Sequence, residues 1–381
     1  MQGLIIGGGI GGLCTALALQ RQGIDARVFE ASSVLGPVGA GIWVAPNAMR
    51  VLDWLGVANA VQRHGAPVAR AQLFDHRGRL VNTLTGRDLE ARFGYTITAI
   101  HRSKLHDALL APLGNGAVEL GKRCVSVRDV ADAVHVTFED GTDATGDFLI
   151  GADGLHSVVR HQLFGDVALR YAGETCWRGM ADVPLPKHLR DGSVECWGIG
   201  RRMGFAQVGA GQVYWWATQR TAPGGRDRPD GVKRALVNAY ADFPAGFPAI
   251  LQSTPEPAIV RHDLFDLPNL PRWSRGRVGL LGDAAHATTP NLGQGGAQAI
   301  ESAWVLAECL SRGGTIDSAL ERYETRRRPK ADKIMRASWR LGRLAGVTNP
   351  VARALRNRLV TLTPRFVAMR QLAWVFRPPQ E

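Results

Sequence analysis

Gly7-Gly8-Gly9-Ile10-Gly11-Gly12 sets glycines in a G-x-G-x-x-G pattern directly after the apolar run Leu4-Ile5-Ile6. That pattern is chemistry for phosphate. Gly7 permits a tight turn, Gly9 lets backbone approach a pyrophosphate, and Gly12 lets a helix pack closely on its strand. A helix starting here aims its free amides and the positive end of its dipole at the anion. The next apolar run, "DARVF", ends at Glu30, placed to accept ribose hydroxyls. An acid there disfavours a 2′-phosphate, which leaves FAD or NAD(H) as the dinucleotide.

Two further carboxylates stand where apolar runs end. "FLIG" leads into Asp153-Gly154, with Ser157 and Arg160 beyond it. "RVGLLG" leads into Asp283, then through Pro290 to Gly293, Gly295 and Gly296, which open another helix. A simple dehydrogenase has no use for two such loops. A long cofactor with separate sites for its two ends does.

Taken together and in this order, the three groupings resemble the hallmark motifs of the class A FAD-dependent aromatic monooxygenases, the para-hydroxybenzoate hydroxylase-like family, and they span nearly the whole chain. The resemblance implies that Gly7, Gly9, Gly12 and Glu30 hold the ADP half of FAD. It implies that Asp283 bonds the ribityl chain and that the helix after Pro290 points its amides at the pyrimidine edge of the flavin. Gly293, Gly295 and Gly296 then leave room for the ring and for oxygen. It further assigns Arg102, in "IHRSKL", to the flavin side and the backbone of Val125 to adenine. Asp153 and Arg160 fall in a motif linked to FAD and to a transient nicotinamide, and Asp153 reads equally well as a turn carboxylate. NADPH or NADH is the implied electron donor. The implied reaction is hydroxylation of an aromatic or heteroaromatic small molecule by O2 through a flavin C4a-hydroperoxide.

The substrate side is read from the middle of the chain. "GSVECWGIGRRMGFAQVGAGQVYWWATQR" alternates short β-type runs with glycine turns and carries Trp197, Trp215 and Trp216, with Trp177 just before. In the family's urate-hydroxylating branch, positions matching Arg202 and Tyr214 contact an anionic heteroaromatic substrate. Their structural alternatives are a surface arginine and a half-buried core tyrosine. That branch carries Asp where this chain has Asn291. "GETCWR", "WGIGRRMGF" and "TPNLGQG" are closer to the 2-alkyl-4-quinolone-hydroxylating branch. His286 is read as a support of its loop rather than an acid–base group.

The elements that must position these residues follow. An α/β fold is expected, with a Rossmann-like FAD-binding domain from discontinuous segments at about 1–70, 100–165 and 272–345. An antiparallel sheet at about 71–99 and 166–271 forms the substrate domain, and about 346–381 is a C-terminal helical segment broken at Pro350 and Pro364.

The chain has 381 residues, and its five cysteines match neither a metal site nor a redox pair, so they read as buried thiols in a reducing, cytoplasmic setting. The net charge is +12, and from Arg312 onward 16 basic residues face 5 acidic ones, so nearly all of it lies there. A solvated helical face is the first reading of that charge, and peripheral membrane association is the second. No nucleic-acid motif accompanies it. No apolar run is long enough to span a membrane. The oligomeric state is left open. Two other functions fit a flavin fold: a flavin-dependent NAD(P)H dehydrogenase or reductase, and a non-catalytic flavin-binding redox sensor.

Overall fold

The run Leu4-Ile5-Ile6 forms the centre of a sheet because nothing in it tolerates water: all three are buried in the strand Gln2–Ile6. A computed structural model describes residues 1–377 apart from 36–39, 115, 210, 229–230 and 245. Gln2–Ile6 pairs in parallel with Asp25–Phe29 on one side and Phe148–Gly151 on the other. Val118–Glu119 extends one edge, and Val278–Leu280 with Ser274–Arg275 extends the other, giving six strands. Consecutive parallel strands need helical crossovers, and Ile10–Arg21 supplies the first. This helix packs on Gly295–Ser311, the helix opened by the second glycine loop. The two glycine-led helix starts are therefore neighbours in space.

A seven-stranded sheet stands beside this unit. Its order is Val260–Asp266, Arg170–Ala181, Gln212–Arg220, Arg201–Val208, Gly192–Trp197, Arg70–Asp75 and Leu80–Thr85. Every pairing is antiparallel except that of Gly192–Trp197 with Arg70–Asp75. Strand alternation sorts its aromatics. Trp215 joins Trp177 and Phe205 in a separate apolar core under the helices Val232–Ala239 and Phe247–Ser253. Tyr214 and Trp216 face the other way and pack with the larger core of the first unit.

The long helix Ile316–Ala345 crosses behind the glycine loops, and two further helices, Pro350–Leu362 and Arg365–Phe376, follow. Pro350 sits in the first turn of one, where its missing N–H costs nothing, and Pro364 caps the other. The five cysteines are free and buried. Among the described residues no helix is long and apolar enough to cross a membrane.

Candidate active site

The phosphate end is built from close backbone contacts. Gly7 has φ +107°, a conformation that suits glycine, and its carbonyl lies 1.9 Å from where a Cβ on Gly12 would stand. Gly9, the N-cap of the Ile10–Arg21 helix, faces open space instead. Its neighbour is pinned from both sides: Gly8 N donates to Glu30 Oε2 at 2.7 Å, and Gly8 O contacts His106 Nε2 at 2.7 Å. Glu30 also accepts from Ser32 N at 2.8 Å, so this carboxylate shapes the loop as well as standing at the end of its strand.

Asp153 has a full set of local partners. Its two oxygens accept from Ser157 Oγ at 2.5 Å and Val159 N at 3.1 Å, which fastens the start of the helix Val158–Phe164. Burial pushes its pKa up, against those hydrogen bonds. Arg160 is buried and donates to the carbonyls of Ala284 and Leu155, joining this turn to the Asp283 loop. Val125 lies at an irregularity of its ladder: Ser126 pairs with Thr137 and Cys124 with Phe138, so Val125 has no partner opposite. Its side chain is exposed, and its carbonyl accepts a long 3.4 Å bond from Gln162.

Asp283 follows Gly282, whose φ is +64°. Its side chain is solvent-accessible, yet protein surrounds it on the remaining sides. Both hold for a carboxylate at the floor of an open cleft. The enclosure raises its pKa, and Arg102 opposes the rise. Arg102 is exposed, begins the helix Arg102–Leu110, and donates its backbone N–H to Ala40. The same guanidinium acts on Tyr214 and on His262, so these four side chains share one electrostatic environment.

Tyr214 is almost fully enclosed rather than half-buried, and burial pushes its phenol up to about 12. Its ring packs against Gly41, where a Cβ would come within 2.6 Å. Trp216 lies 5.4 Å from Tyr214 and 5.9 Å from Trp43, edge-on to the latter. Trp43 in turn is the nearest neighbour of Gly293, and Ile42 that of Gly296. Trp43 Nε1 and Gln294 Nε2 are buried with no hydrogen-bond partner among the described residues. Unpaired buried donors at a glycine-led helix start are what an absent polar ligand would satisfy.

Arg202 is not a surface arginine. It is buried, donating to Glu174 at 2.7 Å and Asn291 at 2.8 Å, with Glu195 at 3.5 Å. It shares a sheet face with Tyr214, but four residues of register separate them, about 14 Å along the strand. The structure thus gathers Tyr214, Arg102, Asp283 and the Gly293–Gly296 loop, and places Arg202 behind Asn291. There a second cavity of ≈ 180 Å³ opens, lined among others by Glu174, Asn291, Arg220 and Trp339. His286 is neutral, enclosed by Trp273 and hydrogen-bonded to Ser302 at 3.1 Å. Burial, reinforced by Arg327, lowers its pKa to about 3.

Trp43 and His262 of the cleft lie outside every stretch the sequence singled out, while Arg178 and Gln294 lie within "GETCWR" and "TPNLGQG" without a role having been read for them. Arg178 stands directly opposite Trp216 across the ladder. Alternation from Tyr214 could have placed Arg178 and Trp216 on the cleft face. Nothing local marks Trp43.

Comparison with known proteins decides what this cleft is for. The sequence family described as FAD binding domain matches residues 1–338. The chain belongs to the FAD-dependent aromatic monooxygenases. It is 40% identical over 359 residues to an aurachin C monooxygenase/isomerase of Stigmatella aurantiaca, covering 94% of this chain and 93% of that one. It is 35% identical over 372 residues to the 2-heptyl-3-hydroxy-4(1H)-quinolone synthase of Pseudomonas aeruginosa, covering 95% and 94%. The structure of Klebsiella pneumoniae HpxO complexed with FAD and uric acid superposes with a TM-score of 0.92 at 29% identity, covering 99% of this chain and 97% of that one.

Proposed function

We propose that this monooxygenase uses NADPH or NADH and O2 to hydroxylate a 2-alkyl-4-quinolone. The observation that carries the reading is the aromatic wall of Tyr214, Trp216 and Trp43, set against the loop that holds Asp283 and Gly293. A flat, electron-rich heterocycle fits such a wall, and the 35% identity to the 2-heptyl-3-hydroxy-4(1H)-quinolone synthase adds weight to a quinolone ring.

FAD fits the residues present. The open space at Gly9 admits a pyrophosphate, the exposed ladder irregularity at Val125 offers adenine a place, and the unpaired Trp43 and Gln294 donors await polar atoms. On this reading Gly7, Gly9, Gly12, Glu30, Val125 and Asp153 serve the ADP half. Asp283, Arg102, Pro290, Gly293, Gly295 and Gly296 serve the flavin half. The segments 1–70, 100–165 and 272–345 then form the FAD-binding unit, and 71–99 with 166–271 covers it. When bound, FAD supplies hydride acceptance and oxygen activation.

The chain's own residues do the rest. The start of the helix Gly295–Ser311 offers amides and a positive dipole end where negative charge gathers on reduction. Arg102 and Arg178 bring positive charge to the cleft, which favours a deprotonated and therefore more nucleophilic ring. Tyr214 keeps its proton at neutral pH and so is a hydrogen-bond donor toward a ring oxygen. The enclosing aromatics exclude water. Arg202 acts through Asn291, as a positioning residue.

The test is aerobic NAD(P)H oxidation by the FAD-loaded enzyme with and without 2-heptyl-4-quinolone, following product mass. Faster oxidation with a product heavier by one oxygen is expected. Oxidation indifferent to the quinolone would remove this substrate class and leave the family assignment standing.

A further inference from the structure

The helix Pro350–Leu362 carries an apolar stripe on the wrong side for a core. Val351, Leu355, Leu359 and Leu362 are 58–74% exposed. At 3.6 residues per turn they fall within an arc of about 80°. Phe366, just beyond the break at Pro364, is exposed as well. Scattered exposed leucines are ordinary, but a continuous stripe on one helix is an interaction surface.

The opposite flank of this helix is already clamped. Arg356 is buried, donates to the carbonyls of Leu344 and Ala345, and stacks 4.8 Å over Trp197. The helix therefore cannot roll its stripe inward without breaking these bonds. Its N-terminus is fixed too, by Asn349 accepting from Val351 N and Ala352 N at 3.0 Å.

Charge says what covers the stripe. From Lys333 to Gln380 there are ten basic residues and no acidic one. Arg358 flanks the stripe on its own helix, Arg343 ends the helix before it, and Arg370 lies on the helix after it. All three are exposed, and none has an ion-pair partner among the described residues. An acidic protein surface would need a groove for a convex stripe. An anionic bilayer needs none, since its headgroups take the arginines and its acyl boundary takes the leucines.

We propose that the stripe Val351–Leu355–Leu359–Leu362 lies in the interface of an anionic lipid membrane. The helix rests on the bilayer and does not cross it. The binding claim stands on this surface alone. Its use, delivery of the cleft to a membrane-dissolved alkyl substrate, rests on the proposed function.

The experiment is flotation of the FAD-loaded full chain with vesicles of phosphatidylcholine containing phosphatidylglycerol, and with phosphatidylcholine alone. Flotation with the anionic vesicles is expected, weakened by salt. Substituting Val351→Ser, Leu355→Ser, Leu359→Ser and Leu362→Ser together should reduce it at least tenfold while FAD absorbance and thermal midpoint stay unchanged. Leu359→Cys adds a readout that needs no disruptive change, because the native cysteines are buried and the new thiol alone takes an environment-sensitive dye. Its fluorescence should rise on anionic vesicles. Absence of flotation overturns the proposal, as does unchanged flotation of the fourfold variant or a silent dye. A dimer seen by light scattering that the fourfold variant dissolves, with no vesicle binding, overturns it in favour of a second copy of the chain. Quinolone turnover is scored separately, so its failure leaves the vesicle result intact.

Discussion

Arg202 donates one guanidinium nitrogen to both Glu174 Oε2 at 2.7 Å and Asn291 Oδ1 at 2.8 Å, which ties the substrate-side sheet to the loop ahead of Gly293. The amide of Asn291 is specified at every atom. Its Nδ2 donates to Ser338 O and Thr289 Oγ1, both at 3.0 Å, and the Ser338 carbonyl can only accept. A carboxylate at 291 would face that carbonyl with like partial charge. This is a structural reason for Asn where the urate-hydroxylating branch carries Asp.

Arg202→Met leaves Glu174 buried without its countercharge. The expected cost is about 3–5 kcal/mol in unfolding free energy, because an orphaned buried charge is far more costly than a missing pair. Adding Glu174→Leu to Arg202→Met should recover a large part of that loss. Urea melts of the wild type, both single variants and the double variant measure it. If the double variant is as unstable as the sum of the two singles, the pair does not act as a unit and this reading of the network fails.

Gly9 and Gly12 separate cofactor binding from folding. A Cβ on Gly12 meets the Gly7 carbonyl at 1.9 Å, so Gly12→Ala must move the helix off its strand. Overpacking of this kind costs about 1–3 kcal/mol. A Cβ on Gly9 meets nothing within 4 Å, so Gly9→Ala should leave the FAD-free protein as stable as wild type. It fills the space that the pyrophosphate requires, and FAD affinity should fall at least tenfold. Thermal melts of the stripped protein and FAD titration by flavin fluorescence check both halves. Normal FAD binding by Gly9→Ala would place the phosphates elsewhere.

How much of this could be read beforehand depends on sequence distance. The glycine fingerprint and Glu30 form one local βαβ unit, so type and spacing specify them directly. The alternation that separates Tyr214 and Trp216 from Trp215 is also in the sequence, but which face meets the cofactor is a tertiary fact. Arg202 was legible as a cation and not as a buried one. Its partners Glu174 and Asn291 lie 28 and 89 positions away, and nothing in "GRRMG" announces them. Trp43 and Gln294 were missed for the same reason: their unpaired donors acquire meaning only when the two glycine-led helices are brought side by side.

Asp283 provides a direct probe of the ribityl contact. Its carboxylate is accessible in the cleft, with Arg102 as the cation that acts on it. Hydrogen bonds to charged groups contribute about 1.5–3 kcal/mol, so Asp283→Ala should weaken FAD binding by roughly 10- to 150-fold. The stability of the stripped protein should not fall, since removing an enclosed carboxylate also removes its desolvation cost. Isothermal titration of the stripped variant with FAD gives the number. An unchanged dissociation constant would take Asp283 out of the cofactor site.

His286 sets an acid limit on stability. Its pKa is lowered from 6.5 to about 3, by burial first and by Arg327 second. Unfolding returns it to the ordinary value, so below pH 6.5 the unfolded chain binds a proton that the folded chain refuses. The sign follows: stability is intact above about pH 6.5 and is lost as the pH falls from there toward 3, by about 1.4 kcal/mol per pH unit from this residue. His286→Gln can keep a hydrogen bond to Ser302 and cannot titrate. Urea midpoints at pH 7, 6, 5 and 4 should therefore fall less steeply for His286→Gln than for wild type, with the two curves closest in slope above pH 6.5. Parallel curves across the whole range would assign the acid sensitivity to other groups.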